Sequence, residues 1–477
     1  MNALEQLQSL VKALEAGGYD AAPGTLIQGS ALQTEDLSPV MNNVTFDDAQ
    51  IKLQKMLKVS PAKSTLVQFD RQLSYGGFGG SAVIEGAVGQ EFTDDFVRIV
   101  VPMCYYSHIR RVTLVANMVN TVDGKDASER AASSAAKKIA ADIEFDLFRG
   151  KEGFTNAGVF DGNPGTIAAL PNVLGLGEQI RQSDAQRNAK DLMFGEYGSD
   201  ETVVIQGGGF QYTGAYTGQA DTFGYGGTGV LTQANIEDAA VRSAMNMGNA
   251  DRLILDPKTL AAYNKLAFEK ERIILAGSPQ DATGADLRRQ WVSGGTVQLE
   301  ASRFLSGKTR AQSPRAGVPA MPVIDSVVDN ATAGTLAASA YAYIVTGVNE
   351  LGESVATAST SNTPDANKSN LVTISGGAGS VYFNVYRSEA GGTTTKWIGR
   401  VKKAGSTTTF LDSGAKIPGF VTGYLIQGDT MEVRELSPYS RLKLAVTDLS
   451  IPEAHFRFLT LTVPQPRKNV LVDNLKG

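Results

Sequence analysis

Two histidines, His108 and His455, and one cysteine, Cys104, are the whole stock of imidazole and thiol in 477 residues. A zinc site needs such ligands at short repeated spacings, and a Ser-His-Asp triad needs a histidine to carry the proton. Neither pattern exists here, and both histidines read as surface or packed side chains. Cys104 lies in the apolar run VVPMCYY, which suits a buried, inert thiol, and it has no second cysteine to bond. The neighbouring acids Asp47–Asp48 and Asp94–Asp95 would point to opposite faces of a strand, so they read as solvated loop or cap residues and not as an acid/base pair. Arg110–Arg111 and Lys137–Lys138 could face a polyanion, a neighbouring subunit or solvent. Gly224, Gly226 and Gly229 spell G-x-G-x-x-G, but no strand precedes them as dinucleotide binding requires. Gly307-Lys308-Thr309 looks like the end of a phosphate loop, yet Ser302 stands where its first glycine belongs. The sequence therefore assigns no catalytic, cofactor-binding or metal-binding residue.

Composition narrows the classes further. Hydrophobic residues make up 42% and charged ones 19%, ordinary for a globular chain of about three domains, and 51 glycines predict long loops and tight turns. A net charge of −5 gives no overall attraction to nucleic acid, although a local patch could still meet phosphate. No run of about 18 apolar residues is present, which excludes a transmembrane helix. At the N-terminus, Leu4, Leu7, Val11 and Leu14 have helical spacing but are interrupted by acidic and polar residues, so this segment reads as a docking helix and not a signal peptide. The Asn-x-Ser/Thr matches at Asn43, Asn330 and Asn367 then carry no glycosylation meaning.

The elements that must carry these residues are legible from pattern. Residues 126–149 predict one long helix of roughly 36 Å, with Asp126 and Glu129 at capping-box spacing. Its stripe, Ala132, Ala136, Ile139, Ile143 and Leu147, passes from small to large residues, which predicts close backbone approach at one end and a fuller core at the other. Before it, residues 17–62 form an irregular arm with a helical patch at 46–57. Strand candidates at 64–72 and along 82–119 flank a glycine-rich run, the pattern of a protruding β-arm whose uncovered edges invite pairing. After it come glycine-rich loops, a polar helix near 178–192 and a short strand at 202–206. Thr232 caps a helix with Ile236, Ala240, Ala244 and Met247 on one face; a strand at 252–255 follows, and Asp256–Pro257 open a second helix to about Phe268. Strands are also predicted at 296–299 and 431–435. Residues 313–419 differ in texture, with short strands between turn residues, the pattern of an inserted immunoglobulin- or fibronectin-III-like sandwich with Trp397, Tyr341, Tyr343, Tyr382 and Tyr386 in its core.

The order of these parts, with Glu85-Gly86-Ala87 in the β-arm, a long helix ending in LFRG, a helix–strand–helix unit and the closing PQPRKNVLVDNL, resembles the Hong Kong 97-type major capsid protein of tailed bacteriophages. The resemblance implies an α+β fold: an N-terminal arm at 1–62, an extended β-loop and the start of a peripheral domain at 63–125, a spine helix and peripheral loops at 126–230, an axial domain and return strand at 231–312, the immunoglobulin-like insertion at 313–419, and closing strands at 420–477. It also implies a structural protein without enzymatic activity or cofactor. Its partners would be further copies of itself as pentamers and hexamers, a portal, decoration or cement proteins, and packaged double-stranded DNA held by non-specific contacts, with no membrane. Its place would be the virion head shell, after assembly in the host cytoplasm. Crosslinking members carry a lysine after the loop's Glu-Gly-Ala-x; here Gly89 follows Val88, and no lysine lies between Lys63 and Lys125, so self-catalysed isopeptide crosslinking is not expected. The arm is too short for a fused scaffolding segment, and a separate scaffolding protein is expected. A surface adhesin or carbohydrate-binding protein bearing the sandwich is the alternative class, disfavoured by the missing secretion signal.

Overall fold

The computed structural model describes residues 50–74, 81–118, 126–149, 173, 175–180, 210–212, 229–245, 247–268, 289–306, 317–349, 352–446 and 449–476. The docking helix, the glycine motifs at 224–228 and 307–309, Asp47–Asp48 and the strand expected at 202–206 lie outside these residues. The fold is mixed α+β and mostly strand.

A short helix α1 (Leu53–Met56) is the described part of the patch expected at 46–57, and it leads into β1 (Lys58–Pro61). Strands β2 (Leu66–Ser74) and β3 (Asp95–Pro102) then pair with each other as an antiparallel hairpin. Next, β4 (Cys104–Thr113) runs into α2 (Leu114–Met118) and the long α3 (Ala127–Arg149). Alanine-rich sequence without glycine or proline favours so long a helix. At its start the Asp126 carbonyl accepts the Arg130 N–H at 3.1 Å, as the N-cap position requires, and the Ser128 N–H donates to Asn117 Oδ1 of α2 at 3.3 Å. A further helix, α4 (Leu176–Ile180), begins before the predicted residue 178 and is buried at Leu176, Gly177 and Gln179.

A six-stranded sheet has the order β5-β20-β17-β6-β8-β7, from β5 (Phe210–Tyr212), β6 (Arg252–Leu255), β7 (Arg289–Val292), β8 (Gly295–Ala301), β17 (Phe420–Ile426) and β20 (Val470–Lys476). Helices α5 (Gln233–Met245) and α6 (Pro257–Phe268) cover it, sharing a core of Ile236, Ala240, Tyr263, Leu253, Leu255, Leu425 and Val472. Both starts are capped as expected. Thr232 and Asn235 bond reciprocally, and Asp256 Oδ2 accepts the Lys258 N–H at 2.9 Å.

Between β8 and β17 two further sheets enclose a separate core. One has β9 (Pro322–Leu336), β13 (Lys368–Gly376) and β16 (Thr407–Asp412); the other has β10 (Tyr341–Asn349), β11 (Gly352–Glu353), β12 (Thr360–Asn362), β14 (Tyr382–Ser388) and β15 (Thr395–Lys402). The 15-residue β9 was not foreseen, because its DNATAG segment has weak strand propensity and only antiparallel pairing with β13 makes it a strand. Tyr341 and Tyr343 are in the core, together with the unpredicted Phe383, Val372 and Ile374. Tyr382, Tyr386 and Trp397 are not: the Tyr386 hydroxyl donates to Glu353, and Trp397 packs on Phe420 at the junction with the six-stranded sheet, ring centroids 5.0 Å apart. A buried Arg387–Asp412 ion pair at 2.6 Å joins the two sheets, and Asp412 also accepts from the Tyr343 hydroxyl.

The last sheet is four-stranded, β1-β18-β19-β4, using β18 (Glu432–Lys443) and β19 (Ser450–Thr462). Strand β18 is much longer than the predicted 431–435, because β19 pairs along its length. Helix α3 lies on this sheet. Its C-terminal half joins a core with Cys104, Leu176, Tyr424, Val433, Leu459 and Leu461.

Candidate functional site

The helix-facing side of β4 alternates Cys104, Tyr106, His108, Arg110 and Val112 with outward Tyr105, Ser107, Ile109 and Arg111. Antiparallel register places Leu459, Arg457, His455 and Glu453 of β19 opposite Cys104, Tyr106, His108 and Arg110. The seam under α3 therefore grades from apolar at the helix C-terminus to charged at its N-terminus.

At the apolar end Ile139, Ile143, Leu147 and Phe148 are buried, and the Phe148 carbonyl accepts the Tyr424 hydroxyl at 3.2 Å. A Cβ at Gly177 would stand 2.8 Å from that hydroxyl, so α4 can approach only as glycine. Two acids are buried here as well. Glu144 accepts the N–H groups of Lys52, Leu53 and Gln54 at 2.9, 2.7 and 3.0 Å, capping α1 with a carboxylate from another element. Asp146 accepts the Tyr106 hydroxyl at 2.8 Å, and burial beside this acid pushes the Tyr106 phenol well above its ordinary pKa. Arg457 extends the network, donating to Glu435 at 2.7 Å and to Gln54 at 3.0 Å. The predicted narrow stripe is thus a helix end buried on several faces, since α1, α4 and two sheets surround it. Sequence reasoning missed Glu144 and Asp146; the signal was two acids interleaved with Ile143, Phe145 and Leu147, too close to the stripe to reach water.

At the other end the two histidines meet. They are direct register partners with ring centroids 5.8 Å apart, a juxtaposition that separation in sequence conceals. His455 is completely buried, and Tyr439 of β18 stacks on it. The Tyr439 hydroxyl donates to the Ala132 carbonyl of α3 at 3.3 Å and lies 2.9 Å from His455 Nδ1. Burial holds both imidazoles below their ordinary pKa, with Arg110 adding to the effect at each. The predicted small residues Ala132 and Ala136 are only half-buried, and the fully buried alanine of this half is Ala135, which the stripe did not include.

The other singled-out residues stay apart from this seam or serve packing. Cys104 is buried in the apolar core. Lys138 pairs with Asp142 at 3.6 Å along α3. Asp94 is exposed in the hairpin loop. Among the described residues no group of three His, Cys, Asp or Glu side chains is placed to hold a metal ion. The hairpin of β2 and β3 carries one exposed ion pair, Arg98–Asp70 at 2.8 Å, and its tip turns at Glu85-Gly86, where φ of +86° suits glycine and the Ala87 N–H closes on the Ile84 carbonyl at 3.0 Å. Around this turn Ile84 is 84% and Val88 95% exposed.

No protein-family model matches the chain. Over 150 residues, 31% of this chain, the sequence is 26% identical to the protein named major capsid protein of Staphylococcus phage K, and equally to those of Staphylococcus phages S25-3 and S25-4. The chain spans about a third of the length of these curated relatives in that match, 32%. Among solved structures, the capsid of a native GTA particle has a TM-score of 0.46 at 12% identity, covering 97% of this chain and 99% of that one. The capsid asymmetric unit of cyanophage A-1(L) has a TM-score of 0.46 at 10% identity, covering 94% and 98%.

Proposed function

We propose that the chain is a major capsid protein of the Hong Kong 97 type, a structural and non-enzymatic subunit that assembles as pentamers and hexamers into the head shell of a tailed bacteriophage. The observation that carries this reading is the hairpin of β2 and β3, which joins no third strand among the described residues and exposes Ile84 and Val88 at its tip. Bare strand edges and apolar side chains in water describe a contact completed by another copy. The 150-residue likeness to phage proteins named major capsid protein supports the same reading.

In this reading the hairpin is the extended loop, α3 the spine helix, the four-stranded sheet the peripheral domain, and the six-stranded sheet with α5 and α6 the axial domain. The two-sheet unit between β8 and β17 is an immunoglobulin-like insertion displayed outward. A separate scaffolding protein, a portal and decoration proteins are the expected partners, and the enclosed double-stranded DNA meets the inner surface without sequence specificity. Assembly takes place in the host cytoplasm.

Electron microscopy of the purified full chain, alone and co-expressed with its scaffold, tests the proposal. Closed shells of regular curvature are expected, and a monomer under every assembly condition would overturn it. Ile84→Asp with Val88→Asp is expected to abolish shells while leaving the melting temperature of the unassembled chain within about 1–2 °C, since substitutions at exposed sites change stability by about 0.5 kcal/mol or less.

A further inference from the structure

The His108–His455 pair, the second ring buried and the first half-buried, has unusual surroundings. His108 Nε2 and His455 Nε2 are both buried without a hydrogen-bond partner. A proton added at either nitrogen gains no close acceptor, and two added protons place like charges on rings 5.8 Å apart. The charged groups around them do not offset this. On β4, Arg110 faces both rings. On α3, Lys138 and Asp142 face His108 and are already paired with each other. On β19, Glu453 Oε2 lies 4.0 Å from His455 Nε2, but Glu453 is engaged by Arg441 of β18 at 2.6 Å. Glu129 of α3 acts on Arg441, and the Arg130 guanidinium is buried on the same helical turn. The acids are matched by cations before either histidine is protonated.

The helix above is also at its weakest here. Its first half is held by alanine packing and by polar contacts that include Tyr439–Ala132 and Asn117–Ser128, whereas its second half is fixed by Ile139, Ile143, Leu147 and Phe148.

We propose that His108 and His455 form a proton-operated latch: with both rings neutral the first half of α3 lies closed on the four-stranded sheet, and protonation of the pair releases that half while the second half stays anchored. The sign follows from linkage. Both groups have folded-state pKa values below the unfolded value of 6.5, so the closed state has its full stability above about pH 6.5 and loses it as the pH falls below that value. The latch belongs to the single chain and does not require assembly.

Hydrogen exchange of the full chain at pH 7.5 and 5.5, corrected for the intrinsic pH dependence, tests it. The open population at residues 127–138 is expected to rise at pH 5.5, by at most about tenfold for each histidine, and to rise more than at residues 139–148. A His108→Gln/His455→Gln variant, which cannot take up these protons, is expected to lose that rise. Equal opening in both halves, no opening, or an undiminished response in the variant would overturn the latch. Should the variant not fold, NMR titration of ring-labelled histidine in the unaltered chain decides: two midpoints below 6.5 support the latch, and either midpoint at or above 6.5 sinks it.

Discussion

Where α3 leaves the apolar core it changes partners. Its second half buries Ile143, Leu147 and Phe148 completely, and its two buried acids are saturated by the α1 amides and the Tyr106 hydroxyl. Its first half shows small side chains to a pair of imidazoles, an arginine-rich rim and one tyrosine hydroxyl. One half is held by area removed from water, which changes little between pH 5 and 8. The other is held by a few polar contacts whose strength depends on protonation. A single unbroken helix can thus have a fixed end and a conditional end, and the boundary falls where alanine gives way to isoleucine.

Substitutions at each end sharpen the contrast. The largest effect is expected for Phe148→Ala, which removes a fully buried ring that packs on Tyr424 and should cost about 3–5 kcal/mol in chemical denaturation. Glu144→Ala strips the acceptor from three amides at the start of α1; a loss of about 2–3 kcal/mol is expected, with faster hydrogen exchange at Lys52, Leu53 and Gln54. Tyr439→Phe should cost only about 1 kcal/mol by the same denaturation measurement, since it deletes one hydroxyl that touches Ala132 and His455. If Tyr439→Phe proved as costly as Phe148→Ala, the two halves would not differ in kind.

Much of the local structure was legible in sequence for plain reasons. The 3.6-residue stripe and the absence of breakers marked α3, and Thr232 and Asp256–Pro257 marked the starts of α5 and α6, because caps and periodicity are properties of neighbouring residues. What pattern reading missed depends on partners far away in the chain. Strand β9 is a strand because β13 pairs with it, and Trp397 left its expected core because Phe420 offers a ring at the junction. Glu144 looked like an interruption of a stripe and is a cap for a helix that begins 91 residues before it.

The histidines mark the limit most clearly. Sequence alone determined that this chain had only two imidazoles and no spacing for metal or triad chemistry, and that they lay in different strand-like runs. Tertiary structure alone decided that those runs pair in the register that sets His108 against His455 under the alanine half of α3. Register is fixed by the burial of whole strand faces, so a slip of one residue would have turned the shifted strand's ring to the other face and parted the pair.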